Sequence, residues 1–464
     1  MKDNAIKYGL LGKKKGIGGW NLRLRVAVGL AECLAVLWLY RILFPLALFL
    51  ALPAYLRRAW RRGGLREKFG ERLGAHARQP RAGRSAPLIW LQAVSVGEVL
   101  AIAPLLEQLH CAGVLVYLTT TTSTGYKIAA ERYISWVVGV GYFPVDTWPI
   151  SARAWRRIDP DMVILTEGER WPEHLQQAKR RGVPVIAINA RLSDRSFRHM
   201  QLFRPAARLM LAGVDRWLCG SSQDAARLRD LGVANAALVT TGNLKFDVAI
   251  PRLTPAELDA LRRELGLPAG LVLLGSSTWP GEEAAMIEVL KAMRARGLGG
   301  SLLLVPRHAE RRGEIERLLV KSGLRFHFRS QGQAAGEVDV SVADTTGELR
   351  RLTQVADLVF VGKSLPPHTE GQTPLEAAAL GRVIVLGSGM SNFRLIAHEL
   401  IEAGAAVRVD SAEELVSTAL GVLTESGRRE QLAQAAAAWH ARNAGAVART
   451  LAIIQAELAR RPAA

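Results

Sequence analysis

The chain has 464 residues, 49% of them hydrophobic and 22% charged, which excludes a disordered polymer and, at this length, predicts two domains of ~200 residues rather than one core. Three cysteines (Cys33, Cys111, Cys219) without C-x-x-C spacing exclude a disulfide scaffold and a cysteine-based zinc site. The formal charge of +19 invites a nucleic-acid reading, but residues 1–84 hold 18 Lys+Arg against 4 Asp+Glu, and the other 380 carry a net of only +5.

The basic end also contains the longest apolar run. From Cys33 to Leu56 the only charge is Arg41, and a helix of ~20 residues suffices to cross a bilayer. Arg41, Pro45 and Pro53 weaken a straight span. The late start and the following Arg57, Arg58, Arg61 and Arg62 argue against a cleaved signal peptide. Seven basic residues stand in positions 1–25 and seven in 57–72, so the positive-inside rule gives a tie. The segment either spans or lies in an anionic interface; a buried core helix is the plainer alternative.

Strands are then expected at 87–94, 114–122, 161–167, 183–190, 215–221 and 236–243, with helical stretches between them. After a linker and helix at 251–268, a second series is expected at 271–277, 301–307, 324–330, 338–344, 358–364, 383–389 and 405–410, followed by Ala-rich helices from Arg428. Continuous apolar strands alternating with helices predict an α/β chain of two doubly wound, Rossmann-like halves, divided near 245–260. Ligands of such sheets lie beyond the strands' carboxyl ends, and a cleft between facing halves is the expected site.

The polar exceptions fall at those strand ends. Ser95, Gly97 and Glu98 of VSVGEV follow the first strand and open a helix. Glu98 suits a general base, or it merely complements the helix dipole. Glu167 and Glu169 of TEGERWPE follow a later strand, where carboxylates can orient hydroxyls or share a proton; a solvated acidic loop is the alternative. Arg191 and Arg195 come next and suit a phosphate or the neighbouring acids. In the second half, Ser276, Ser277 and Thr278 precede a helix with Pro280 near its start, an expected anion cradle. Arg307 and His308 end another strand, and His308 has no metal-ligand partner at recognisable spacing. Gly347-Glu348-Leu349, Lys363, the loop Gly371-Gln372-Thr373 leading into Pro374, Leu375 and Glu376, and Asn392 complete the set. No phosphate-binding P-loop and no G-x-G-x-x-G after the first strand is present.

In order, WLQAVSVGEV, TTTTSTGY, YFPVDT, TEGERWPE, NARLSDRSF, GNLKFD, PRHAER, GEL, ADLVFVGKSL, TPLEAAALG and NF resemble the 3-deoxy-D-manno-octulosonic acid (Kdo) transferases of lipopolysaccharide synthesis. The resemblance runs from about residue 64 to about 410 and includes the character of the anchor. It implies the two-domain glycosyltransferase B fold and inverting transfer of Kdo from CMP-Kdo to a lipid A precursor. It divides the chain into a basic segment and membrane anchor (1–60), an acceptor-binding domain (61–250) and a nucleotide-sugar-binding domain with C-terminal helices (251–464).

By the same resemblance, Glu98 is the base, and Ser95, Gly97, Glu167 and Arg191 lie on the acceptor side. Arg307 binds donor phosphate; Ser276, Ser277, Thr278, His308, Lys363 and Asn392 are further expected donor-binding residues from their strand-end positions. Gly347–Leu349 and Thr373–Glu376 hold the cytidine nucleotide. No metal and no cofactor is implied. The implied partners are a CMP-sugar donor, a lipid A precursor or related anionic lipid, and a membrane surface, with no nucleic acid. The implied location is the inner membrane, with the catalytic domains on its cytoplasmic face. Gln92, Trp279 and Gln372 stand where the family has His, so a paralogue with an altered donor or acceptor, or a non-catalytic one binding an envelope lipid or assembly partner, is the alternative.

Overall fold

The computed structural model describes residues 35–53, 57, 68–79, 83–247 and 250–460. The basic segment at 1–34 and most of the basic stretch at 57–72 lie outside the described residues. The chain forms two compact units, Met1–Asp247 with Ala444–Ala464, and Val248–Asn443.

The first unit is a seven-stranded sheet of β1 (Leu88–Gln92), β2 (Leu115–Thr120), β3 (Gly139–Tyr142), β4 (Met162–Thr166), β5 (Val185–Ala190), β6 (Arg216–Cys219) and β7 (Leu238–Thr240). Its order is β3-β2-β1-β4-β5-β6-β7 and all pairs are parallel. All five residues of β1 are buried because helices cover both faces. Ile89 and Leu91 meet Leu105, Leu109 and Ile454 on one face. Leu88 and Trp90 meet Trp155 and Leu175 on the other. β3 escapes the apolar-run criterion because GVGY is half glycine. A Cβ at Gly139 would lie 2.8 Å from the Tyr117 ring, and one at Gly141 would lie 2.5 Å from Glu71 Oε2. The glycines make room for side chains on neighbouring elements.

The second unit contains β8 (Leu271–Thr278), β9 (Gly300–Pro306), β10 (Phe326–Phe328), β11 (Val340–Val342), β12 (Leu358–Val361), β13 (Val383–Gly387) and β14 (Ala406–Val409). All seven lie within or beside the expected segments. The order is β10-β11-β9-β8-β12-β13-β14, again parallel. Each sheet reverses its winding once, between β1 and β4 and between β8 and β12, and such switch points are where open α/β sheets bind ligands.

The domain division differs from expectation at the C-terminus. The helix Ala446–Ala459 belongs to the first unit, not the second. Its apolar face, Val447 and Ile454, joins that unit's core. Asp247 receives the backbone N–H groups of Gly445 (2.6 Å) and Val447 (2.5 Å) at the helix start. Arg216 pairs with Glu457 at 2.7 Å.

Three buried titratable groups of the first unit set a pH dependence. Burial lowers His76 to about 4 and His174 to about 3, and raises Asp146 to about 6. The unfolded chain binds protons on both histidines below about pH 6.5 while the fold resists them, so stability falls with falling pH. Asp146 acts in the opposite sense between about pH 6 and 4, because the fold holds its proton more tightly. The net contribution of these three groups across that window is therefore about one proton, or ~1.4 kcal/mol per pH unit, lost as pH falls. Urea unfolding at pH 6 and 4.5 should show this loss. His174→Gln, whose amide oxygen can still accept from Trp155 Nε1 as His174 Nδ1 does at 3.0 Å, should bring the slope close to zero. An unchanged slope in that variant would refute the assignment.

Candidate active site

In the first unit, β1 and β4 are neighbours, and Glu98 stands where both end. Ser95 caps the helix Val96–Ala101, accepting from the Glu98 N–H. Glu98 reaches back as the acid of a cap does: Oε1 accepts from Ser95 Oγ at 3.1 Å and Oε2 from the Val94 N–H at 3.0 Å. Oε2 also accepts from the Thr166 hydroxyl at the end of β4. Three donors on about four acceptor positions leave the carboxylate room for one more proton. No Lys or Arg pairs with it among the described residues. A side chain at Gly97 would meet nothing nearer than Ser95 Oγ at 3.8 Å, so this exposed glycine keeps the approach to the helix start open. The two readings of Glu98 are therefore compatible: it caps its own helix and presents a half-exposed carboxylate at the switch point.

Glu167 holds a left-handed backbone (φ 51°). Its Oε1 receives Lys245 Nζ at 3.0 Å and Asn189 Nδ2 at 3.4 Å. Lys245 belongs to the GNLKFD segment, and its ion pair with Glu167 is what the sequence did not show. Glu169 accepts from Trp171 Nε1 at 2.6 Å, and burial pushes its carboxyl up. Glu98 adds to that rise in a lesser degree. The loop is thus internally bonded rather than a solvated acidic run. Arg191 and Arg195 are exposed.

Gln92 is fully buried and satisfied at both ends of its amide. It accepts from Thr119 Oγ1 at 2.7 Å and donates to Thr121 Oγ1 at 3.1 Å. Glutamine here holds two threonines of the β2 end in place.

The second unit repeats the arrangement with a different outcome. Glu282, in the first turn of the helix Glu282–Ala295, accepts backbone N–H groups from Trp279 (2.9 Å), Lys363 (2.8 Å), Ser364 (2.9 Å) and Leu365 (3.1 Å). It ties the loop after β8 to the loop after β12. Burial pushes its carboxyl up, against the pull of those N–H groups. Of these four N–H groups, that of Trp279 comes from the segment of the expected anion cradle and the other three from the loop after β12. Ser276 and Thr278 are buried; Ser277 sits at a register shift with φ 55°. Gly362 is required for this closeness, because a Cβ there would lie 2.4 Å from the Ser277 carbonyl.

Around the staple, Trp279 is the centre of a cluster. Its ring lies 5.1 Å from His308 and 5.9 Å from His368, and Lys363 Nζ stands 4.1 Å from its centroid. Lys363 also pairs with Glu370 at 3.2 Å. Trp279 Nε1, Thr278 Oγ1 and Glu376 Oε2 are buried atoms without a hydrogen-bond partner among the described residues. Arg307 and Asn392 are exposed, and no carboxylate pairs with Arg307 among the described residues, whereas the nearby Arg311 is held by Glu283 at 2.6 Å and Glu314 at 2.8 Å. Glu348 differs from expectation: Arg329 grips it with two bonds of 2.8 Å and keeps its carboxyl below the ordinary range. Its side chain is tied to the unit's own Arg329, and Gly347 beside it has a left-handed backbone (φ 86°). Thr373 Oγ1 caps Leu375 N at 3.2 Å.

Residues 67–248 match the family model described as 3-deoxy-D-manno-octulosonic-acid transferase (kdotransferase). A 3-deoxy-D-manno-octulosonic acid transferase of Bordetella pertussis is 38% identical over 85% of this chain and 93% of its own length. The chain belongs to the Kdo transferase family. The Haemophilus influenzae enzyme of that name is 30% identical over 80% of this chain and 87% of its own. In fold, this Kdo transferase is similar to a glycosyltransferase from Rickettsia africae, with a TM-score of 0.53 at 13% identity, covering 82% of this chain and 100% of the other. It is a glycosyltransferase enzyme.

Glu282→Ala should orphan four backbone N–H groups and cost at least ~3 kcal/mol in the second unit. Glu282→Gln, which keeps an acceptor oxygen, should cost less. Thermal unfolding of the two variants against the parent checks the order.

Proposed function

We propose that this transferase moves Kdo from CMP-Kdo to a lipid A precursor at the cytoplasmic face of the inner membrane, with inversion. The observation that carries the reading is Glu98, half-exposed at the β1/β4 switch point, bonded by hydroxyls and one N–H rather than by a cation. Such a carboxylate is held in place without a cationic partner, as a general base requires.

The step balances as follows. An acceptor hydroxyl oxygen attacks the anomeric carbon of Kdo and a new C–O bond forms. Glu98 takes the hydroxyl proton. The bond from the anomeric carbon to the phosphate oxygen breaks, and CMP leaves with the electron pair. Arg307, which has no acidic partner among the described residues, meets the phosphate's charge. Glu376 Oε2, an acceptor without a partner among the described residues, suits a ribose hydroxyl. Glu167 and Arg191 line the acceptor side.

Mass spectrometry of lipid products, after CMP-Kdo and a lipid A precursor are offered to the purified chain, should show addition of Kdo. Glu98→Gln should lower kcat by about 10²–10⁴-fold; near-normal transfer would remove Glu98 from the mechanism. Arg307→Ala should weaken donor binding by about 10- to 100-fold, read as KM for CMP-Kdo, and leave binding of the lipid unchanged.

A further inference from the structure

The helix Ala35–Pro53 is long and apolar enough to cross a membrane, and little of it is buried. Its first turns, however, are not free. Leu37 is 2% exposed. Tyr40 donates its hydroxyl to Asp146 Oδ2 at 2.9 Å. Arg41 donates to both oxygens of Glu173, Nε to Oε2 at 3.0 Å and Nη2 to Oε1 at 3.2 Å. The Arg41 side chain is 10% exposed and that of Glu173 is fully buried. Trp38 and Trp148 stand 5.0 and 5.5 Å from the guanidinium.

The chain beyond the helix is fixed to the same unit. Lys68 Nζ donates to the Val140 carbonyl at 2.6 Å, and Arg72 Nη1 to the Thr121 carbonyl at 3.0 Å. Val145 N–H donates to the Arg72 carbonyl at 2.9 Å, and Glu71, buried, accepts from the Tyr142 N–H at 3.0 Å. The first turns of the helix and the chain from Lys68 on thus meet the same unit, around the ends of β2, β3 and β4.

A spanning helix puts its flanks on opposite sides of the bilayer. Between these two anchorages the helix carries the exposed Ile42, Leu43, Leu46, Phe49 and Leu50. From Ile42 to Pro53 is 12 residues, or ~18 Å of helix against a hydrocarbon core of ~30 Å. Trp38 and Trp148, 58% and 51% exposed beside Arg41, are the residues that favour the headgroup level.

We propose that this helix enters one leaflet and does not cross, with both its flanks on the face that carries the catalytic units. The occupant of its exposed apolar side is lipid acyl chain. The inference rests on the membrane location proposed above, but not on the transfer chemistry.

The test uses the full chain with an N-terminal epitope in sealed inside-out inner-membrane vesicles. Pelleting of the chain with the vesicles checks the membrane location by itself; a chain that stays in the supernatant overturns that location and this inference with it. With the chain pelleted, protease added outside should remove the epitope before any detergent is present. In intact spheroplasts of the same cells, the epitope should survive. An epitope protected in inside-out vesicles until detergent is added, or cleaved in intact spheroplasts, shows a span and overturns the proposal.

Discussion

A parallel sheet covered by helices on both faces leaves polar chemistry only its ends, and in this chain that constraint acts twice. β1 and β8 each start a sheet, each pairs on one side with the next strand and on the other with a later one, and each is followed by a helix with an acid in its first turn. Glu98 bonds across to Thr166 at the end of β4. Glu282 bonds across to the backbone after β12. The two carboxylates hold the same place in the topology and differ in what surrounds them. Glu282 is 1% exposed and saturated by backbone N–H groups, which makes it a staple. Glu98 is half-exposed with an acceptor position to spare, which is what the proposed base role needs. Burial and donor count, not residue type, separate structure from chemistry here.

This explains which parts of the molecule were legible in the sequence. Continuous apolar runs such as LVLLGSS and VIVLG can only be strands of a doubly covered sheet, so the second sheet reads directly from the chain. GVGY at β3 does not, because its glycines answer to Tyr117 and Glu71 rather than to a local pattern. The candidate residues were legible as positions: Glu98, Glu167, Arg307 and Glu376 all stand at strand ends or helix starts. Their partners were not. Thr166 lies 68 residues from Glu98 and Lys245 lies 78 from Glu167, and no periodicity connects residues so far apart. The return of the C-terminal helix to Asp247, 200 residues before Val447, escaped for the same reason. A domain boundary drawn where the linker lies misses a chain that comes back.

The departures at Gln92 and Trp279 are better understood as packing than as altered chemistry. Gln92 donates from one end of its side chain and accepts at the other, the bonding a neutral imidazole also offers. Trp279 fills the space between two histidines and carries a lysine ammonium on its face, a contact that favours a cation without neutralising it. Neither change removes a carboxylate or an arginine from the strand ends.

Arg41 is the residue whose meaning changes most between sequence and structure. Within an apolar run it reads as a defect in a span. Bound to a fully buried Glu173, it is the counter-ion without which that carboxylate would stand unpaired. An ion pair withdrawn from water contributes little net stability, since desolvation offsets the attraction. Its effect is registry instead. It selects the helix turn that meets the unit, because sliding the helix by one turn would strand two charges at once. Asp146 reinforces the same register. It takes the Tyr40 hydroxyl and the N–H groups of Glu173 and His174 that open the helix Pro172–Arg181. That helix begins where the loop of Glu167 and Glu169 ends, so the helix proposed to meet lipid is bonded to the element that directly follows the loop proposed to meet the lipid substrate.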